Sequence, residues 1–219
     1  MSDFFSLAKS LSFFDGCSSR DYELIAGQSH IVTFSKGELL FYEDDESPFW
    51  FLLAKGRLRT YKSARDDHEI SLCTLEPGMA VNDLQLYKAS YKVINFATAE
   101  ALSDGMLIGI KASALGLLIG QIPTLALQCF HTVVTSVERY HRALYSGMIL
   151  DAMGKVAFML THDLEKFNKM KKQAVASQLN IQPETLSRLL GKLSRKEIIS
   201  TESGEIVILD LQALQSLYS

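Results

Sequence analysis

The sequence predicts an α+β chain in three parts: an N-terminal β-roll with flanking helices, one long helix, and a C-terminal winged helix-turn-helix. Three observations carry this reading. Residues 171 to 193 hold two short helical patterns separated by Asn180 and the Gln182-Pro183-Glu184 run. Residues 31 to 110 alternate short β-branched and aromatic runs with Gly, Pro, Asp and Ser turns. Between the two, a helical period runs from Pro123 to about Ser146. The expected divisions are 1–122, 123–147 and 148–219.

Residues 1 to 27 read as a helical lead-in whose apolar contacts are Phe4, Phe5, Leu7, Leu11, Phe13 and Phe14. Strands are expected at Ile31 to Phe34, Leu39 to Tyr42, Trp50 to Leu53, Leu58 to Tyr61 and Ile70 to Leu75. The turns between them fall near Ser35-Lys36-Gly37, Asp44 to Pro48, Ala54-Lys55-Gly56, Ala64 to Asp67 and Glu76-Pro77-Gly78. Short strands at near-regular spacing suggest a closed roll or barrel. After a short helix ending near Gly120, Pro123 suits the first turn of a longer one, about 35 Å in length at 1.5 Å per residue. That helix carries two apolar stripes. Leu125, Cys129, Val133, Ser136 and Tyr140 form one; Leu127, Phe130, Val134, Val137 and His141 form the other. Two stripes imply two partners, the chain's own roll and the same helix of a second subunit. The first stripe is assigned to the dimer contact. Ser146-Gly147 reads as a hinge.

Met148 to Lys166 is expected to be one amphipathic helix with Ile149, Leu150, Val156, Ala157, Met159 and Leu160 inward. The first helix of the turn motif buries Ala174, Val175 and Leu179, and Asn180 ends it because Asn tolerates the left-handed conformation. Pro183 and Glu184 suit the first turn of the second helix. Leu186, Leu189, Leu190 and Leu193 form its inner face, leaving Glu184, Thr185, Ser187, Arg188 and Lys192 outward. Ile198 to Thr201, a Ser203-Gly204 turn and Glu205 to Leu209 make a hairpin, and Leu211 to Tyr218 closes the domain.

Of the 219 residues, 47% are hydrophobic and 21% charged, which describes an ordinary globular protein. No apolar run approaches the roughly 20 residues of a membrane span, and Met1 to Phe5 lacks a basic leader. A cytoplasmic location without membrane contact is expected. Cys17, Cys73 and Cys129 are too few and too scattered for a disulfide framework or a CxxC site, and Cys73 and Cys129 read as small buried hydrophobes. The net charge of −3 hides a local excess. Residues 166 to 196 hold eight Lys or Arg against Glu184 alone, a balance of +7. Such concentration beside a helix-turn-helix fits neutralisation of nucleic-acid phosphates. Lys171, Lys172, Thr185, Lys192 and Lys196 are the expected backbone contacts on duplex DNA. Glu184 can accept from a cytosine amino group, and Arg188 can pair bidentately with guanine O6 and N7; Ser187 lies beside it. No Gly-rich phosphate loop, metal cluster or nucleophile elbow suggests an enzyme.

The order of β-roll, long helix and winged helix resembles the Crp/Fnr family of regulators over nearly the whole chain. The likeness is sharpest in Pro183 to Leu190 and in Gly204 to Leu214, and weaker in Lys36-Gly37-Glu38, Lys55-Gly56-Arg57, Leu75 to Gly78 and Ala97 to Leu102. Glu197 stands where the family usually has Gly before the wing. The resemblance implies a cyclic-nucleotide-binding-like roll, a homodimer on a two-fold symmetric operator, and RNA polymerase as a further partner. The Glu-x-x-Ser-Arg pattern at Glu184, Ser187 and Arg188 implies half-sites like TTGAT.

The resemblance also bears on the effector. At the positions of the family's nucleotide-pocket residues this chain offers Asn82-Asp83 and Asn95-Phe96, with no cation for a cyclic phosphate, which argues against cyclic AMP. Three cysteines, only Cys17 near the N-terminus, argue against an iron–sulfur cluster. A third branch of the family senses nitric oxide through haem. Its ligands would come from His30, His68, His131, His141 and His162, or Met79 and Met106; His141 on the long helix is the candidate that could move a dimer interface. The same roll also serves elsewhere as a regulatory module without DNA binding, but here a complete winged helix follows it.

Overall fold

A computed structural model describes residues 2–63, 69–83, 92–145, 149–202 and 204–218. The chain divides into two compact units, Met1–Arg139 and Tyr140–Ser219. In the first, α1 (Ser2–Lys9), a 3-10 turn (Ser12–Phe14) and α2 (Ser19–Ala26) precede the strands. These are β1 (Ser29–Phe34), β2 (Leu39–Phe41), β3 (Glu46–Ser47), β4 (Phe49–Lys55), β5 (Leu58–Ser63), β6 (Glu69–Leu75), β7 (Val93–Ile94), β8 (Thr98–Ala101) and β9 (Gly105–Lys111). They pair antiparallel as β1-β9-β4, β2-β8-β5-β6 and β3-β7.

The β1-β9-β4 sheet is apolar on both faces, so β4 is a continuous hydrophobic run rather than an alternating one. Trp50, Leu52, Ile108 and Ile110 pack on one side with Phe13, Phe14, Ile25, Leu115 and Leu125 from the helices. Phe51, Leu53 and Leu107 point the other way, into the roll, where they meet Leu58, Leu75 and Ala101. α3 (Ala112–Gln121) and α4 (Pro123–Leu144) follow, bent by 120° at Ile122. No single described helix is long and apolar enough to cross a membrane.

The second unit holds α5 (Ala152–His162), α6 (Leu164–Lys169), α7 (Lys172–Gln178), α8 (Pro183–Arg195), the hairpin β10 (Ile199–Glu202) and β11 (Glu205–Ile208), and α9 (Leu211–Gln215). Asp151 caps α5 by accepting from the Gly154 N–H, and Asp210 caps α9 by accepting from Ala213. The single helix expected over 148–166 is instead broken at Asp163, which leaves helical geometry at φ −134 and ψ 36. Asp is a poor interior helix residue, and the break turns Phe167 into the same core as Leu160. α7 buries Val175, Ala176 and Leu179, whereas Ala174 is exposed. Cys73, expected inside, is only half-buried, with its Sγ 3.0 Å from Thr60 Oγ1. The Ser146-Gly147 hinge, the 64–67 turn and Ser203 lie outside the described residues.

Both helices of the turn motif end in the same way. Asn180 takes φ 53, its N–H reaches Ser177 O, and the Ile181 N–H reaches Ala176 O. At the end of α8, Glu197 takes φ 59, its N–H reaches Ser194 O, and the Ile198 N–H reaches Leu193 O. Each is a Schellman closure, which wants Gly or Asn at the left-handed position. Glu197 departs from that preference, and its carboxylate also sits at the negative end of a helix. Glu197→Gly is therefore expected to stabilise the protein by about 1 kcal/mol in urea unfolding, whereas Glu197→Val destabilises it by a similar amount or more.

Candidate nucleic-acid interface and sensor interior

α8 has one apolar side. Leu186, Leu189, Leu190 and Leu193 are all buried in the core of the second unit, a period that places the other residues on the opposite face. Glu184, Ser187, Arg188, Lys192, Arg195 and Lys196 are exposed, and Thr185 is half-buried at the edge. Pro183 occupies the first turn and Gln182 the N-cap. Lys171 and Lys172 at the start of α7 are exposed as well. The sequence-derived candidates on α8 thus share its solvent-facing side, and those on α7 are exposed as well. Glu184 and Arg188 stand one turn apart, about 6 Å along the axis.

One structural residue of the second unit gave no sequence signal. Asn168 of α6 donates from Nδ2 to Ile206 O (3.0 Å) and accepts at Oδ1 from the Ile206 N–H (2.9 Å). A side-chain amide thus completes the outer edge of β11 as a neighbouring strand would, and anchors the wing to α6. Nothing in the spacing around Asn168 distinguishes it from a surface asparagine.

The long helix corrects the assignment of its stripes. Leu125 and Cys129 are buried in the core of their own unit, so they have no face left for a partner. Val133, Ser136 and Tyr140 continue that line as it emerges toward solvent. The stripe left open is the second one: Leu127, Phe130 and Val137 are 69%, 68% and 60% exposed, with Val134, His141 and Leu144 beside them. Its 127, 130, 134, 137, 141, 144 spacing is the alternating three and four of a coiled-coil seam. His141 stands in that seam.

In the sensor unit, Asn82 and Asn95 are buried and already engaged. Asn82 Oδ1 accepts from the Phe51 N–H (2.8 Å), and its Nδ2 donates to Phe49 O (3.0 Å) and to Asn95 Oδ1 (3.3 Å). The backbone of Asn95 pairs with Asp44 and Asp45. Both side chains are thus engaged within the roll, Asn82 through both ends of its amide and Asn95 through its Oδ1. Phe96 is 43% exposed, and Asp83 is half-buried. Among the described residues no Lys or Arg is buried. Arg59, on β5, lies between Glu69 and Glu100 with its guanidinium 4.6 Å above the Tyr61 ring.

The histidines do not assemble a haem site among the described residues. A metal-bound imidazole normally donates its other N–H to an acceptor, but His30 Nδ1 is buried without a partner beside Phe49 and Phe51. His131 and His141 are exposed on α4, and His68 lies outside the described residues. His162 has the right support, Nδ1 lying 3.0 Å from Phe158 O, but belongs to the second unit. Met79 is exposed, and Met106 packs at the edge of the helix-covered core. Burial pushes the Cys129 thiol up to about 12 and raises that of Cys17, which leaves neither as a ready thiolate. No group of three potential metal-binding side chains occurs among the described residues.

Comparison with known proteins places two family models on the chain. The one described as a cyclic nucleotide-binding domain matches residues 31–121, and the one described as a Crp-like helix-turn-helix domain matches residues 155–217. Among curated relatives, the cyclic AMP receptor protein of Thermus thermophilus is 21% identical over 95% of this chain and 97% of its own. Among solved structures, a CooA mutant from Carboxydothermus hydrogenoformans is similar at a TM-score of 0.70 and 18% identity, covering 94% of this chain and 92% of that one. FixK2 from Bradyrhizobium japonicum gives 0.66 and 20% over 87% and 98%.

The bracing role of Asn82 has a direct consequence. Asn82→Ala strips the Phe51 N–H of its acceptor inside the protein, so stability should fall by about 2–3 kcal/mol. Urea unfolding of the protein without any effector measures it; a ligand-binding residue would leave that value unchanged.

Proposed function

The chain belongs to the Crp/Fnr family of DNA-binding transcription regulators, and from that premise we propose that it acts as a homodimer on a TTGAT-like inverted repeat. The observation that carries this reading is the outward placement of Glu184, Ser187 and Arg188 on α8, opposite four buried leucines. Arg188 reads guanine through its two-pronged guanidinium, and Glu184 reads the cytosine amino group. Lys171, Lys172, Thr185, Lys192 and Lys196 hold the phosphates and set register without choosing sequence.

The seam formed by Leu127, Phe130, Val134 and Val137 supports self-association through α4, since so much apolar side chain left in water favours a partner with the same stripe. Two α8 helices then address successive major grooves, roughly 34 Å apart. We take the β-roll as the seat of an effector that shifts the α4 pair, with RNA polymerase as the downstream partner. The effector carries no cyclic phosphate in this reading, because the described residues of the roll offer no buried cation to neutralise one. Haem, the effector that the sequence brings forward, has no suitably supported ligand in the described part of the roll.

Two measurements test the proposal. In equilibrium binding to an operator and its single-base variants, Arg188→Ala should lose about 1–3 kcal/mol of preference at the guanine position, while Lys172→Ala weakens every duplex alike and lowers the salt slope by about 0.9. Arg188→Ala with unchanged base preference would remove the assignment. In sedimentation, Phe130→Glu should convert the dimer to monomer and abolish operator binding, because a carboxylate in the seam is buried without a counter-charge.

A further inference from the structure

The outward face of α8 contains one position with no side chain. Gly191 lies three residues after Arg188, four after Ser187 and four before Arg195, which puts it on the side away from the four leucines. It is exposed, and a Cβ added there meets no heavy atom within 4 Å. Its backbone does not ask for glycine either, since it lies inside α8 and is not among the residues with positive φ. Apart from proline, glycine is the poorest choice for a helix interior. Nothing among the described residues accounts for it.

The surroundings point outside the chain. Arg188, Lys192 and Arg195 are exposed around the gap, and none of the ion pairs among the described residues uses them. Gly116 and Gly120 on α3 are equally open, but no cation stands on that helix. A helix with its side chains is about 10–12 Å across, and the major groove is about 12 Å wide. The helix therefore fills the groove, and a side chain on its outermost line decides how deeply it enters. We infer that Gly191 sets the insertion depth of α8: its bare backbone lies against the DNA, which lets Ser187 and Arg188 reach the base edges. Any side chain at 191 lifts the helix and lengthens those contacts.

The inference rests on the DNA-reading assignment above, and the experiment separates the two. Full-length wild type and Gly191→Ala are compared by thermal unfolding and by binding to a TTGAT inverted-repeat duplex and to a duplex with scrambled half-sites. Alanine should raise Tm by a few degrees, because it is the better helix former. Operator affinity should fall at least about tenfold, while scrambled-duplex affinity and the salt slope stay nearly constant, because no cation is lost. Gly191→Leu should deepen the operator loss. A Gly191→Ala protein that gains Tm yet binds the operator as wild type does overturns the inference alone. One that loses Tm assigns the glycine to folding and also overturns it. If wild type fails to distinguish the two duplexes, the DNA-reading assignment falls and takes the inference with it.

Discussion

Burial of four leucines along one side of α8 fixes the rotational phase of that helix, and the identity of every outward residue follows from it. Each buried leucine contributes about 1.5–3 kcal/mol relative to exposure. A rotation by one residue, 100°, would bring several of them into water and draw charged side chains into the core of Val156, Leu160, Val175 and Leu214. The Schellman closures at Asn180 and Glu197 fix the chain just before and just after the helix. Asn168 holds the wing by both polar groups of Ile206. The outward face of α8 is thus ordered before any ligand arrives, which lowers the conformational cost of the proposed DNA contact.

A different constraint governs the roll. Its three-stranded sheet carries apolar cores on both faces, so the polar groups that do lie inside must satisfy one another. Asn82 does so through Phe49, Phe51 and Asn95, and Thr60 through Cys73. The guanidinium of Arg59 is spent on Glu69 and Glu100. An anionic effector would therefore face a large desolvation cost with no buried cation among the described residues to offset it. An uncharged one could draw on the half-buried Phe41, Phe49 and Cys73 at the edge of the interior.

What the sequence disclosed, and what it concealed, divides along physical lines. The turn at Asn180, the four leucines of α8 and the β10–β11 hairpin depend on local chemistry: a left-handed residue, a 3.6-residue period, a tight Gly204 turn. Those were legible. Strands β3, β7, β8 and β9 were not singled out, because two are very short and β9 is an apolar run with glycines at both 105 and 109. The two stripes of α4 were both visible, but deciding which one the roll covers requires knowing where the roll lies. Leu125 and Cys129 are as apolar as Leu127 and Phe130, so sequence alone cannot rank them. Asn82 and Asn95 were placed by their position along the chain; the hydrogen bonds of Asn82 to β4 and to Asn95 are tertiary facts.

The electrostatics of an acidic DNA-binding chain follow from distance. At physiological salt, fields fade over about 8 Å, so a phosphate beside α8 responds to the nearby lysines and arginines more than to the net charge of −3. Within that patch, Lys169 pairs with Glu165, but the two side chains are 73% and 84% exposed, and such a pair is easily exchanged for a phosphate contact. Exposed lysines of this kind confer affinity that collapses with salt and is indifferent to sequence. Discrimination must come from the few side chains whose geometry is fixed by α8 itself. In the proposed reading, affinity and specificity therefore rest on different residues, the first on flexible exposed cations and the second on the helix phase that the buried leucines impose.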